Sequence, residues 1–154
     1  MINVRNVRPE DFELLYKWAN DEDVRKQSFR SDKIELDQHK IWFDKKINDE
    51  NCTIFIFEDQ NIALGQVRIE KINEQDSIIG ISIDCLYRGK GYSTQFIQIA
   101  CEKYSKTNKF CRVNAYVKIG NLASKKAFQN AGFDFLEEVD YENNISSHFI
   151  KICE

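Results

Sequence analysis

Six consecutive residues, Arg88-Gly89-Lys90-Gly91-Tyr92-Ser93, have the types and spacing that hold an anion. Two glycines let the backbone approach a ligand without a Cβ in the way. Arg88 and Lys90 bring positive charge. The residues that follow, Ser93, Phe96, Ile97, Ala100, Cys101 and Tyr104, keep the three-to-four spacing of one apolar helix face. The free N–H groups at the start of such a helix and its dipole both favour negative charge there. Before the turn, Ile78 to Ile83 is β-branched and apolar and reads as a buried strand. Strand, glycine turn and helix together point to a phosphate-bearing ligand. The spacing fits neither a Walker loop nor a dinucleotide fingerprint.

The elements that must position this turn follow from periodicity. Ile2 to Val7 alternates as an opening strand. Pro9 opens a helix with Glu10 and Asp11 at its positive end, and Phe12, Leu14, Leu15 and Trp18 form its apolar face. Asn20 to Asp23 ends it. Val24 to Phe29 is a short segment whose charges, Arg25, Lys26 and the adjoining Arg30, read as solvated surface. A second helix runs from about Leu36 to Ile47 with His39, Trp42, Phe43 and Ile47 on one side. Cys52–Phe57 and Leu64–Ile72 form a hairpin, with Val67, Ile69 and Lys71 sharing a face. Cys111 to Val117 alternates as a further strand. Gly120-Asn121 opens a helix with an amide at its N-cap, Ala123, Ala127 and Ala131 line one stripe, and Gly132 ends it. Phe133–Val139 and Ile145–Cys153 close the chain as a hairpin. The order β-α-α-β-β-β-α-β-α-β-β implies an α+β fold, a mixed and mostly antiparallel sheet with helices on both faces. Residues 1–154 are expected to form a single domain.

Bulk properties narrow the function. A net charge of −3 argues against general nucleic-acid binding. No apolar run reaches membrane-spanning length, and the first eight residues lack a signal core. Five cysteines, Cys52, Cys85, Cys101, Cys111 and Cys153, are odd in number and widely spaced. They read as buried thiols in a reducing cytosol, with no metal site and no disulfide frame.

Two motifs in sequence, Arg88 to Ser93 and Asn121-Leu-Ala-Ser-Lys-Lys-Ala-Phe-Gln-Asn-Ala-Gly-Phe133, resemble the GCN5-related N-acetyltransferases, and the element order is similar over nearly the whole chain. The resemblance implies a V-shaped splay between central strands that holds acetyl-CoA, with no metal. It assigns the pantetheine arm to the strand edge at Ile81 and Ile83 and to Asn121 and Ser124. It assigns the pyrophosphate to Arg88, Gly89, Lys90, Gly91, Tyr92 and Ser93. The family's proposed acid for the leaving thiolate is a tyrosine seven residues after Asn121. Here that position, on the cofactor-facing helix, is Phe128, which has no proton to give. Tyr116, Tyr87 or a water are alternative donors. Glu70, Asp84 and His39 are the candidate bases. An acetyl-CoA sensor without turnover is the alternative of another class.

The N-terminal half looks like the subgroup that acetylates amino groups of nucleotide-linked dideoxy sugars, as in pseudaminic acid pathways. That resemblance implies a small-molecule amine acceptor met by Arg25, Arg30, His39, Trp42 and Lys71. Protein N-termini, polyamines and antibiotics are acceptors of related groups. A homodimer is compatible with the sequence.

Overall fold

The computed structural model describes residues 1–154. Its elements are β1 (Ile2–Asn6), α1 (Phe12–Ala19), α2 (Glu22–Gln27), α3 (Leu36–Ile47), β2 (Cys52–Asp59), β3 (Ile62–Lys71), β4 (Asp76–Ile83), α4 (Tyr92–Ser105), β5 (Arg112–Lys118), α5 (Leu122–Asn130), β6 (Asp134–Tyr141) and β7 (Asn144–Ile152). A 3₁₀ turn, Pro9–Asp11, leads into α1. The strands form one seven-stranded sheet in the order β1-β2-β3-β4-β5-β7-β6. Every pairing is antiparallel except β4 with β5. The two tight hairpins turn at Gln60-Asn61 and Glu142-Asn143, where both residues of each pair have positive φ, as a two-residue turn matched to strand twist requires.

Alternation along the strands sorts the side chains to two faces. Phe55, Phe57, Val67, Ile69, Ile79, Ile83, Val113, Ala115, Val117 and Phe149 pack with Phe96, Ile97 and Ala100 of α4 and Ala127 and Phe128 of α5. Leu15, Trp18 and Phe43 of α1 and α3 pack with Ile54 and Ile56 on the opposite face. This second cluster covers β2 and leaves the rest of its face polar. Gln66, Arg68 and Glu70 of β3, Ser82 of β4, Asn114 and Tyr116 of β5 and His148 of β7 occupy it.

The sequence expectations met three departures. Asp21 caps a real helix, accepting the N–H groups of Asp23 and Val24, where a solvated segment was expected. Ala123 is exposed, so the close-packed stripe on α5 begins at Ala127. Cys85 is exposed and Cys52 half-buried, while Cys101, Cys111 and Cys153 are buried thiols as expected. The α5 stop is as read: Gly132, at φ +96°, follows the C-cap, Phe133 N–H returns to Phe128 O, and Gly132 N–H to Gln129 O.

Where β3 meets β4, Gly65 faces Ile83 in register. A Cβ built on Gly65 would lie 2.7 Å from the Ser82 carbonyl oxygen and 3.0 Å from the Ile83 side chain. Backbone cannot yield as a flexible side chain does. Gly65→Ala is therefore expected to destabilise the protein by about 2 kcal/mol and lower Tm by roughly 5 °C. A calorimetric Tm unchanged from wild type contradicts this close approach.

Candidate functional site

The parallel pairing of β4 with β5 holds for three residue pairs, Asp76↔Arg112, Ser77↔Val113 and Ile78↔Asn114. The strands then part, β4 running on to Ile83 and β5 to Lys118. Backbone direction alternates along a strand. Asp84 N–H is donated to Leu64 O on β3, while Gln75 O accepts from Arg112 N–H on the β5 side. The odd-numbered Ile81 and Ile83 therefore turn their N–H and C=O groups into the gap. This is the V-shaped opening expected from the sequence, with Ile81 and Ile83 along one wall.

The glycine turn lies where β4 leaves the sheet and α4 begins. Gly89 and Gly91 have φ +76° and +80°, and Gly91 is the α4 N-cap. A Cβ at either would meet nothing within 4 Å, so backbone conformation, not space, requires glycine here. The turn thus opens a 14-residue helix with its first N–H groups free for an anion. Lys90 is exposed, its ammonium 5.6 Å from the Tyr87 ring centroid. Arg88 is engaged: its guanidinium donates to Asp21 at 2.7 Å and Asp23 at 3.2 Å. Burial raises the Asp21 carboxyl pKa, but Arg88 and the Val24 and Asp23 amides hold it below its ordinary value. This tie between the turn and α2 is not legible from local patterning, because the partners are 65 and 67 residues apart.

On the other wall, Asn121 caps α5, its side-chain oxygen accepting Ser124 N–H at 3.2 Å. That leaves the Asn121 side-chain NH₂ and the Ser124 hydroxyl without a protein partner. Phe128 is buried at 3% exposure, its ring 5.1 Å from Phe133 and 6.5 Å from Phe149. It is a core side chain of the α5 face. Ile81, Ile83, the residues Arg88 to Ser93, Asn121 and Ser124 lie along the gap and its mouth. We propose these as the cofactor-binding set.

The proton-handling and acceptor candidates divide. Asp84 is 4% exposed and accepts from Trp18 Nε1 at 2.8 Å, Leu86 N–H at 3.0 Å and Lys17 Nζ at 3.4 Å. Burial raises its pKa, yet these donors hold it below the usual carboxylate range. It sews α1 to the end of β4 and is a poor base. His39 is 2% exposed, its Nε2 donating to Phe12 O at 3.1 Å. Burial lowers its pKa and the carbonyl contact opposes this. The expected substrate contact by His39 is corrected to a packing role between α1 and α3. Arg25 donates to the carbonyls of Ala19, Arg30 and Asp32 and to Ser28, so it shapes the loop after α2 and is not the solvated charge expected. Arg30 is exposed. Lys71 follows Val67 and Ile69 to the α4 face and reaches Glu74 at 3.7 Å, away from Arg68 and Glu70. Glu70 is on the polar face, ion-paired to Lys46 at 2.6 Å and Arg68 at 2.9 Å. Trp42 is half-buried, stacked on His39 at 5.7 Å, with the Arg68 guanidinium 5.2 Å from its ring centroid.

Reasoning from sequence missed a row of rings on the polar face. Phe29 meets Tyr141 at 4.8 Å, Tyr141 stacks on Tyr116 at 4.0 Å, and Tyr116 stacks on His148 at 4.4 Å. Burial raises the pKa of both tyrosines, so both phenols are protonated near neutral pH. Gln66 Nε2 donates to Ser82 Oγ at 2.8 Å beside the gap. The period-two alternation of β5 contained a signal for Tyr116, but His148 and Tyr141 arrive by non-local pairing.

With this geometry stand the comparisons with known proteins. Residues 2–134 match the model of the acetyltransferase (GNAT) domain. The chain belongs to the GNAT family of acetyltransferases. It is 29% identical over 126 residues, 80% of this chain and 78% of the relative, to the uncharacterized N-acetyltransferase YfmK of Bacillus subtilis strain 168. Its fold is similar to that of the spermidine N-acetyltransferase of Vibrio cholerae solved with CoA and spermine, at TM-score 0.88 and 17% identity, covering 99% of this chain and 95% of that one. It is similar also to the aminoglycoside acetyltransferase AAC(6′)-Ib solved with coenzyme A and kanamycin, at TM-score 0.85 and 14% identity, covering 99% and 95%. The chain is an N-acetyltransferase with the mixed α+β GNAT fold.

The Asp84 geometry separates structure from catalysis. Asp84→Asn is expected to lower Tm at pH 7 and to leave kcat of the folded enzyme within about twofold. The folded pKa of Asp84 is depressed, so its stabilisation is present above the ordinary carboxylate pKa and fades as pH falls through the folded value. The Tm difference between wild type and variant should therefore shrink in strong acid. A large loss of kcat at unchanged Tm would return Asp84 to the list of bases.

Proposed function

We propose that this chain transfers the acetyl group of acetyl-CoA to the primary amine of an amino sugar, with a nucleotide-linked amino sugar as the specific acceptor. The parting of β4 and β5 after three pairs carries the acetyl-CoA reading. It supplies strand N–H and C=O groups for an amide-bearing arm and puts the anion turn at its mouth. Acetyl-CoA supplies the activated thioester. The chain's contribution is to position the amine, accept its proton and stabilise the oxyanion by backbone N–H.

The acceptor reading rests on an open cleft of about 510 Å³ at the end of β5, the strand that forms one wall of the gap. It is lined by Lys26 and Gln27 of α2, Lys118 at the end of β5 with Ile119 and Gly120 after it, Asn143 of the β6–β7 turn, and Asn144 and Ile145 at the start of β7. Amides and ammonium groups suit ring hydroxyls and an anionic substituent. No carboxylate lines this cleft, which disfavours a polycation such as spermine, although the Vibrio cholerae neighbour was solved with it. The AAC(6′)-Ib neighbour was solved with kanamycin, and an amino sugar shares that chemistry. Lys26 replaces Arg25 and Lys71 as the group available to an anion, because those two are engaged elsewhere.

An acceptor screen by mass shift decides among nucleotide-linked amino sugars, free amino sugars, aminoglycosides, polyamines and peptides. The nucleotide-linked amino sugar is expected to give the highest kcat/KM. Lys26→Ala should raise its KM about tenfold, the worth of one charge-assisted contact, and leave KM for acetyl-CoA unchanged. Preference for spermine or spermidine, or a KM unaffected by Lys26→Ala, contradicts this acceptor assignment.

A further inference from the structure

Asp76, Asn114 and His148 form an ordered line across three strands, β4, β5 and β7. Asn114 stands at Ile78↔Asn114, the last pair before the gap opens. Its Nδ2 faces three oxygens: Asp76 Oδ1 at 3.0 Å, Ser77 O at 3.1 Å and Arg112 O at 3.3 Å. An NH₂ group only donates, so these acceptors fix which end of the amide is nitrogen. Asn114 Oδ1 is then an acceptor facing His148 Nε2 at 2.8 Å. Nε2 must carry the proton, which leaves Nδ1 with a free lone pair in the neutral ring. Every buried side-chain nitrogen and oxygen in the protein has a partner. His148 is 9% exposed and its Nδ1 has no protein partner, so the small exposed part of the ring includes that nitrogen.

The location suits proton transfer. His148 pairs in register with Tyr116, two residues beyond the apex on the strand that borders the gap. It lies on the polar face, where the acceptor must approach. We propose that His148 is the proton acceptor of the acetyl transfer, with Asn114 and Asp76 as positioning residues that hold its Nε2–H tautomer. This deepens the acetyl-transfer reading and rests on it, but not on the acceptor's identity. The acceptor ammonium loses one proton to Nδ1 through water. The neutral amine nitrogen then bonds to the thioester carbon as the C–S bond breaks. The remaining excess N–H proton goes to the departing thiolate, giving free CoA, and His148 returns its proton to solvent. No other reactant is needed.

Burial lowers the His148 pKa, Glu137 of β6 and Asp76 of β4 raise it, and Arg112 of β5 lowers it; the net shift is downward. Tyr116 of β5 faces the ring and is protonated. His148 is thus neutral and basic at pH 7. Glu137 is exposed and makes no ion pair, and it sits opposite His148 in register.

Two measurements on the full chain test this. Imidazole ¹⁵N spectra, assigned with His148→Gln, should show His148 neutral at pH 7 with the proton on Nε2, with or without acetyl-CoA. The pH profile of kcat/KM for the best amine found should have an acidic limb set by His148. His148→Gln should remove that limb and lower kcat/KM about 10²-fold. Glu137→Gln, which touches no packing, should move the limb to lower pH, because a carboxylate that raises the His148 pKa is gone. An Nδ1–H tautomer, a charged ring at pH 7, or a limb unmoved in both variants overturns the proposal. If no amine gives free CoA, the acetyl-transfer reading fails and the role of His148 falls with it; free CoA released with an unmoved limb, a charged ring or an Nδ1–H tautomer overturns the role of His148 alone.

Discussion

Two parallel strands that begin side by side and then part leave backbone N–H and C=O groups without partners, and β4 and β5 do so beyond Ile78 and Asn114. A buried backbone group without a partner costs about 1–3 kcal/mol. Such an opening persists only where something rigid holds it and where water or a ligand can fill it. The supports are visible on both sides. Seven register pairs tie β4 to β3, and seven tie β5 to β7. Beneath, α4 and α5 pack a continuous apolar face against all four strands. Above, the smaller core under α1 and α3 covers β2 and stops. The face over the gap is left polar and open, and there an amine can meet a thioester.

Charge pairing fixes the parts that surround this opening. Asp84 joins the end of β4 to Trp18 of α1, and Arg88 joins the anion turn to Asp21 and Asp23 of α2. Both ties run from the end of β4 and the turn that follows it to the N-terminal helices. The cleft proposed for the acceptor begins at the far end of α2, at Lys26 and Gln27. The two proposed substrate regions therefore share a short helix whose cap residue, Asp21, is itself an ion-pair partner of the turn.

Local chemistry was legible in the sequence wherever it depended on neighbours along the chain. The turn from Arg88 to Ser93, the α4 face, the Asn121 cap and the Gly132 stop each rest on residues a few positions apart, and each stands as read. The side-chain roles were not legible where they depend on partners far away in sequence. Asp84 reads as a free carboxylate until Trp18, 66 residues earlier, is placed beside it. His148 is an anonymous strand residue until Asn114 and Asp76 line up with it. Two errors had local warning. Lys71 shares the parity of Val67 and Ile69, which already put it on the α4 face. His39 stands four residues before the buried Phe43, a spacing that predicts burial.

The central claim is that the β4 edge along the gap binds the amide-bearing arm of acetyl-CoA. Residue-resolved amide hydrogen exchange, with and without saturating acetyl-CoA, tests it most directly. The account predicts slowed exchange at the Ile81 and Ile83 amides and at the Gly89 to Ser93 amides. The Ser82 amide, directed at β3, should change little. Saturable binding of acetyl-CoA that leaves Ile81, Ile83 and the turn unprotected would contradict the account.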